Sequence, residues 1–331
     1  MIIAVDAMGG DNAPIPEIEG AISATESYDV KLTLVGQESV LKQALSKHKY
    51  DAEKISIVNA SEVVGMYEAP SLAIRKRNSS IAVCSEMVVQ NKAQGMVSAG
   101  NTGAVMATLL IKWHTIKGVA RPAIASLLPT TSGVVLLIDV GANVDCKPSY
   151  LLQFAQMGKV YSQHILGIAN PKVGLLSIGE EESKGNELTS ETFELLKNSN
   201  LNFYGNVEGK DILTGIVDII VCDGFVGNVI LKFGESIGEI LIKWLRNEFE
   251  KGIFTQLAGA FMRKGFIKIK KKIDYAETGG APLLGINGVC IISHGKSTAK
   301  AIMNAIRVAT EFVNHKVNQH ILEEVTTNNG L

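Results

Sequence analysis

The chain has little of what marks a secreted, fibrous or nucleic-acid-coating protein. Eight prolines among 331 residues, with no low-complexity stretch, leave no proline-rich linker. Its four cysteines, at 84, 146, 222 and 290, lie far apart and form no C-x-x-C pair. That argues against a zinc site or a small disulfide framework and fits reduced thiols in a cytoplasm. Neither sign of charge dominates: 32 basic and 33 acidic residues give a formal net charge of −1, which excludes a generally basic nucleic-acid binder. No basic leader precedes the apolar start Ile2-Ile3-Ala4-Val5, so no secretory signal is expected. Two long uncharged runs, 93–111 and 122–138, are broken by Asn101 and Thr102 and by Pro129, Thr130 and Thr131. Such interruptions suit buried strands joined to helices by loops, not a span in lipid. G-x-G occurs nowhere, which removes the dinucleotide fingerprint. Gly295-Lys296-Ser297 ends like a P-loop, but Cys290 stands where that loop needs its first glycine. No G-x-S-x-G elbow exists either.

What the chain does have is alternation. Short, continuous apolar runs recur at Ile2–Val5, Leu32–Val35, Ile55–Val58, Val134–Ile138, Val173–Ile178, Ile216–Val221 and Val289–Ile292. Runs of that kind suit strands buried on both faces. Amphipathic stretches intervene at Ile15–Ser27, Glu38–Lys47, Tyr150–Leu166, Leu188–Asn198, Val229–Glu250 and Thr298–Val317. Strand–helix alternation predicts an α/β three-layer sandwich with a largely parallel sheet. Residues 1–325 read as one domain, with a division into two lobes near residue 130 left open. A basic amphipathic insertion falls at about 249–275, and the polar tail 326–331 is expected to fray.

Ligands of open α/β sheets lie beyond the carboxyl ends of the strands, so polar clusters after apolar runs hold the chemistry. Six have one composition: 6–12, 98–103, 139–145, 179–186, 223–228 and 294–297, rich in glycine, amides, hydroxyls and acids. Glycine lets backbone N–H groups approach an anion, and small amides and hydroxyls add donors. Turns and caps use the same residues, and any one cluster reads best as a turn. Six together at one expected edge point to a shared phosphate-handling site. His48, His114, His164, His315 and His320 fall in or beside helical segments, whereas His294 follows a strand and precedes a helix, as an acid–base residue would. Cys146 and Cys222 adjoin polar clusters, but no histidine stands beside either in sequence, so inert thiols are the favoured reading. Asp6 with Asp11, and Glu180 to Glu182, read as solvated or capping carboxylates, and no metal is expected.

The series of motifs resembles one family. DAMGGDNAP at 6–14, RKRNSSI at 75–81, SAGNTGA at 98–104, DVGANVD at 139–145, GLLSIGEEESKGN at 174–186, CDGFVGN at 222–228, GGAPLLG at 279–285 and HGKS at 294–297 follow one another over nearly the whole chain. They are similar to those of the bacterial fatty acyl-[acyl-carrier-protein]:phosphate acyltransferases of phospholipid synthesis. The resemblance implies a fold like the isocitrate/isopropylmalate dehydrogenases and phosphotransacetylases. It implies transfer of an acyl group from acyl-ACP to inorganic phosphate without a cofactor, the acyl-phosphate then feeding a glycerol-3-phosphate acyltransferase. Members are homodimers, cytoplasmic and peripherally bound to the membrane. On that resemblance phosphate binding falls to Ser98, Asn101, Thr102, Lys184 and Asn186. Asn143, Asp223 and Asn228 orient the thioester and its oxyanion, and His294 can protonate the leaving thiolate. Two other readings stay open: a nicotinamide-dependent decarboxylating dehydrogenase, and a non-catalytic binder of acyl-ACP. The segment 249–275 carries seven basic residues against two acidic ones, with Leu257, Phe261, Met262 and Phe266 on its apolar face. It is expected to lie on an anionic membrane, with packing against the core or docking of the acidic carrier protein as alternatives.

Overall fold

The computed structural model describes residues 1–252, 261–262, 265 and 275–328. The strands are β1 Ile2–Asp6, β2 Lys31–Gly36, β3 Ile55–Asn59, β4 Gly95–Ser98, β5 Ala123–Pro129 and β6 Val134–Ile138. They continue as β7 Val173–Leu176, β8 Phe203–Val207, β9 Ile219–Val221, β10 Ala281–Leu284 and β11 Cys290–Ile292. All join one sheet in the order β3-β2-β1-β4-β11-β10-β5-β6-β9-β7-β8. β3, β2, β1, β4 and β11 run parallel to one another, as do β6, β9, β7 and β8. Between the blocks, β10 opposes β11, β5 opposes β10 and β6 opposes β5. Three reversals turn the second block against the first. The six polar clusters therefore do not share one edge: those after β1, β4 and β11 lie at one end, and those after β6, β7 and β9 belong to strands pointing the other way. The run 122–138 is the cause. It is a hairpin rather than a strand joined to a helix, and Gly133 at φ 152° permits the reversal between Pro129 and Val134.

Side-chain alternation builds three layers from this sheet. Ile3 and Val5 join one core cluster and Ala4 the other; Leu136 and Ile138 face one side, Val135 and Leu137 the opposite side. The first cluster packs under α1 (Ile15–Ser27), α6 (Pro148–His164) and α10 (Ala299–Asn314), and the second under α4 (Ser80–Val89) and α5 (Thr102–Trp113). Phe154 of α6 is fully buried, and a side chain of that size contributes about 1.5–3 kcal/mol by burial. The periodic stretch 298–317 is not one helix. Its first part, α10, stops at Asn314; Lys316 turns to φ 50°, and the chain resumes as α11 (Val317–Asn328). Val317, Ile321 and Val325 bury one face of α11 completely, so order reaches into the segment expected to fray.

The closest helix contact positions the loop that precedes α10. Gly20 of α1 lies so near α10 that an added Cβ would stand 2.6 Å from the Ala299 carbonyl oxygen and 2.7 Å from Ile302 Cβ. Gly20→Ala should therefore destabilise the protein by about 1–3 kcal/mol, the usual cost of overpacking. Gly234, on α8 (Gly224–Glu250), has open space around its Cβ position, and Gly234→Ala should stabilise by about 0.5–1 kcal/mol through helix propensity. Urea unfolding of the two variants against the parent measures both signs.

Candidate active site

Two buried aspartates organise the loops at the sheet ends. Asp6 closes β1, is fully buried, and accepts hydrogen bonds from Ser98 Oγ at 2.6 Å and the Met8 N–H at 3.2 Å. Burial pushes its carboxyl up from the ordinary value, while bonds from Ser80, Ser98 and the backbone pull it down. Ser98 also accepts from the Gly100 N–H at 3.1 Å, so the loops after β1 and β4 are tied through one hydroxyl. Gly9 makes this approach possible, since a Cβ there would meet Asp6 Oδ2 at 2.5 Å and the Gly100 nitrogen at 2.7 Å.

Asp139 does the same for the second block. It accepts from the backbone N–H groups of Ile124, Gly141, Ala142 and Asn143 at 2.7–3.2 Å and from Asn143 Nδ2 at 2.9 Å. Burial again raises its carboxyl and these donors oppose the rise. The start of α8 lies directly on this loop: a Cβ at Gly224 would fall 2.8 Å from Asp139 Oδ2, and one at Gly227 would collide with the Asp139 carbonyl oxygen. Asp223 caps α8 by accepting from the Val226 N–H at 2.9 Å. The helix is thus aimed by glycine, cap and buried carboxylate together.

Between these two assemblies lies a cavity of about 610 Å³. Its walls come from the loop after β11 (Ser293 to Ser297), the starts of β5 and β10, the loops after β1, β4 and β6, and α8. Three of the sequence-predicted residues line it: Thr102 at the first turn of α5, Asn228 on α8, and His294. Ser98 and Asn101 sit behind the wall. Ser98 binds Asp6, and Asn101 caps α5 through the Ala104 N–H at 3.0 Å while its Nδ2 donates to the carbonyls of Met66 and Glu68. Asn143 is equally occupied, with Nδ2 donating to Pro122 and Asp139.

Lys184 and Asn186 are not on the cavity wall. They belong to the loop after β7, whose strand is separated from β6 by β9 and points away from the first block. Lys184 is exposed, and Asn186 forms a capping box with Thr189 at the start of α7 (Glu187–Lys197). Strand direction is not what sets them apart, since Gly141 after β6 and Asn228 after β9 also follow strands of the second block and still reach the cavity; β7 lies farther out in the sheet, beyond β9.

Other wall residues escaped the sequence reading. Leu231, Lys232 and Glu235 stand three, four and seven residues beyond Asn228, one face of α8, so helical spacing from a predicted residue was a usable signal. Glu235 is half-buried, and its carboxyl is raised by burial and by Glu239, against the pull of His294 and Lys232. His294 Nδ1 accepts from the Lys296 N–H at 3.1 Å. That geometry places a neutral ring's proton on Nε2. Neither thiol is an activated nucleophile. Burial and the Asp139 charge push Cys146 up to about 12, and Cys222 is buried and raised by desolvation and by Asp223 and Asp139. Of the membrane residues expected at 249–275, Phe261 and Met262 are exposed, while Leu257 and Phe266 lie outside the described residues.

A family model described as "Fatty acid synthesis protein" matches residues 1–320. The phosphate acyltransferase of Geobacter sulfurreducens is 52% identical over 328 residues, covering 99% of this chain and 95% of that one. That of Dictyoglomus thermophilum is 49% identical, covering 98% and 97%. Among solved structures, a phosphotransacetylase from Streptococcus pyogenes superposes with a TM-score of 0.61 at 17% identity, covering 96% of this chain and 94% of its own. A 4-hydroxythreonine-4-phosphate dehydrogenase from Klebsiella pneumoniae gives 0.55 at 11%, covering 95% and 99%. These distant likenesses fix the α/β architecture expected from the sequence. Half of all positions shared with phosphate acyltransferases along the full length fix more: the chain belongs to the phosphate acyltransferase family.

Proposed function

We propose that the protein transfers a fatty acyl group from acyl-ACP to inorganic phosphate, releasing acyl-phosphate and free carrier. Family membership supports acyl transfer with phosphate, and the carrying observation is a cavity where the two sheet blocks meet, whose wall brings together Lys232, Lys296, Asp11, Glu235, Thr102, Asn228 and His294. A phosphate oxygen attacks the thioester carbonyl, a C–O bond forms, the C–S bond breaks, and the thiolate takes a proton. Phosphate is already anionic near neutral pH, so positioning and charge stabilisation matter more than a strong base. Thr102 at the α5 N-terminus and Lys232 and Lys296 on the wall suit an anion. Asn228 makes no side-chain hydrogen bond within the described residues and is free to donate to the carbonyl oxygen as charge develops. The His294 Nε2–H suits a hydrogen bond to the leaving sulfur, and the proton that the thiolate takes is the one phosphate gives up as it becomes acyl-phosphate. Ser98, Asn101, Asn143 and Asp223 act one step back, by holding the backbone that presents these groups.

In this reading residues 1–325 work as one catalytic unit and the protein forms a homodimer. An exposed apolar stripe on α8, Phe225, Val229, Phe233, Ile237, Ile240 and Trp244, supports a partner surface. No helix among the described residues is long and apolar enough to cross a membrane. The exposed Phe261 and Met262, set among the lysines of 249–275, support peripheral contact with an anionic bilayer, where a membrane-bound acyltransferase collects the product.

Purified protein incubated with acyl-ACP should release free carrier only when phosphate is present, with acyl-phosphate formed in equal amount. A phosphate-independent loss of thioester, or binding without loss, would defeat the proposal. Lys184 is the second test. Phosphate binding by Lys184 is the expectation from the resemblance, and its exposed place outside the cavity argues for a smaller part. Lys184→Ala should then change kcat by less than about fivefold, the most an exposed ion pair is worth. A fall in kcat of about 100-fold with unchanged KM is the mark of a lost transition-state donor and would place the loop at the reaction centre.

A further inference from the structure

The motif RKRNSSI at 75–81 lines no part of the cavity, yet the excursion that carries it borders the cavity mouth. Between β3 and α4 the chain leaves the sheet, and a bridge between Glu62 and Ser79 closes the excursion. Met66 and Tyr67 reach the cavity wall; Tyr67 is also fully exposed, which puts it at the mouth. The loop is held at several points. Asn101 Nδ2, at the start of α5, donates to the Met66 and Glu68 carbonyls at 2.8 and 3.0 Å. Glu68 accepts from Lys76 Nζ at 2.6 Å and from the Gly65 N–H at 3.1 Å, and Lys76 also donates to the Val63 carbonyl at 2.8 Å. Pro70 packs on α5, where a Cβ at Gly103 would stand 2.9 Å from Pro70 Cγ.

This fixed loop presents apolar and cationic groups to solvent. Beyond Tyr67, Leu72 and Ile74 are exposed. Arg75 and Arg77 are exposed too, and neither guanidinium pairs with a carboxylate among the described residues. The acids of the segment are engaged, Glu68 by Lys76 and Glu62 by the Asn78 N–H at 3.0 Å. Unpaired arginines around a bare tyrosine have the composition of a recognition surface. We propose that residues 67–77 are the docking surface for the acidic acyl carrier, Arg75 and Arg77 meeting its carboxylates while Tyr67 and Leu72 supply the apolar contact. This rests on the acyl-transfer reading for the identity of the donor. Guanidinium forks match carboxylates in geometry as well as charge. Anionic lipid would feel the same charge, but the carrier has a reason to bind at this place. Its thioester is tethered, so it must seat within reach of the cavity, and this surface adjoins the mouth.

Binding of unacylated carrier, read by fluorescence anisotropy, tests the surface without turnover. The parent should bind, and more weakly as salt rises. Arg75→Glu/Arg77→Glu should lower the affinity by more than about 10-fold, because it sets like charges against each other. Tyr67→Ala should weaken binding and leave its salt dependence unchanged. Both variants should keep the parent's Tm, since the altered side chains are exposed. In turnover the charge reversal should raise the acyl-ACP KM by the same factor and leave the phosphate KM alone. Carrier bound equally by the parent and the charge-reversed variant, or by neither, overturns the surface even if acyl-phosphate is made. Affinity lost on reversal, with the oligomeric state unchanged, upholds it even if no acyl transfer is found. Reversal that abolishes binding to phosphatidylglycerol vesicles and spares carrier affinity would mark a lipid surface. A variant that sediments as a monomer from a dimeric parent would mark a contact between copies, and either result overturns the proposal.

Discussion

Asp139 is the constraint on which the second half of the site depends. A carboxylate with no exposure gathers four backbone N–H groups and one amide, and a carboxylate taken from water tolerates burial only with such donors around it. The loop after β6 must therefore curl around it, β5 must lie alongside, and α8 must begin where Gly224 and Gly227 leave room. Asp6 imposes the same discipline on β1, β4 and Gly9. Each block of the sheet thus ends in a rigid polar knot, and the cavity is the space left between the two knots.

That arrangement suits a reaction whose nucleophile and leaving group need little activation. Rigid backbone supplies position, α5 and α10 present their N-termini, and the wall cations offset the incoming negative charge. Burial and neighbouring carboxylates raise the Cys146 and Cys222 thiols, which argues against either as the nucleophile. The same fold in phosphotransacetylases and in a dehydrogenase of phosphorylated substrate shows that the architecture alone does not choose the chemistry. The polar side chains on the wall do.

Much of the fold is legible in the sequence. The helix at Ile15–Ser27 has the bounds its periodicity predicts, and β1, β2, β3 and β6 coincide with their apolar runs to within a residue or so at each end. Strand direction is not legible, because a run of buried apolar residues looks the same whichever way it points. The hairpin at Gly133 reverses half the sheet, and with it the clusters at 139–145, 179–186 and 223–228. Thr102, Asn228 and His294 were reachable from composition because each follows a strand closely and meets the cavity. Asn101, Asn143 and Asn186 have the same composition but spend their amides on caps and loops, a difference set by neighbours distant in sequence.

Direct reaction of phosphate with the thioester inside one cavity is the central claim, and isotope exchange tests it most directly. Labelled phosphate is mixed with the enzyme and unlabelled acyl-phosphate in the absence of carrier protein. An acyl-enzyme would form from acyl-phosphate alone and would exchange label into it, the signature of a ping-pong route. Direct attack requires the carrier thiol to accept the acyl group before phosphate can leave. The predicted result is no exchange without carrier and its appearance when carrier is added. Exchange in the absence of carrier, at a rate comparable to turnover, would contradict the account.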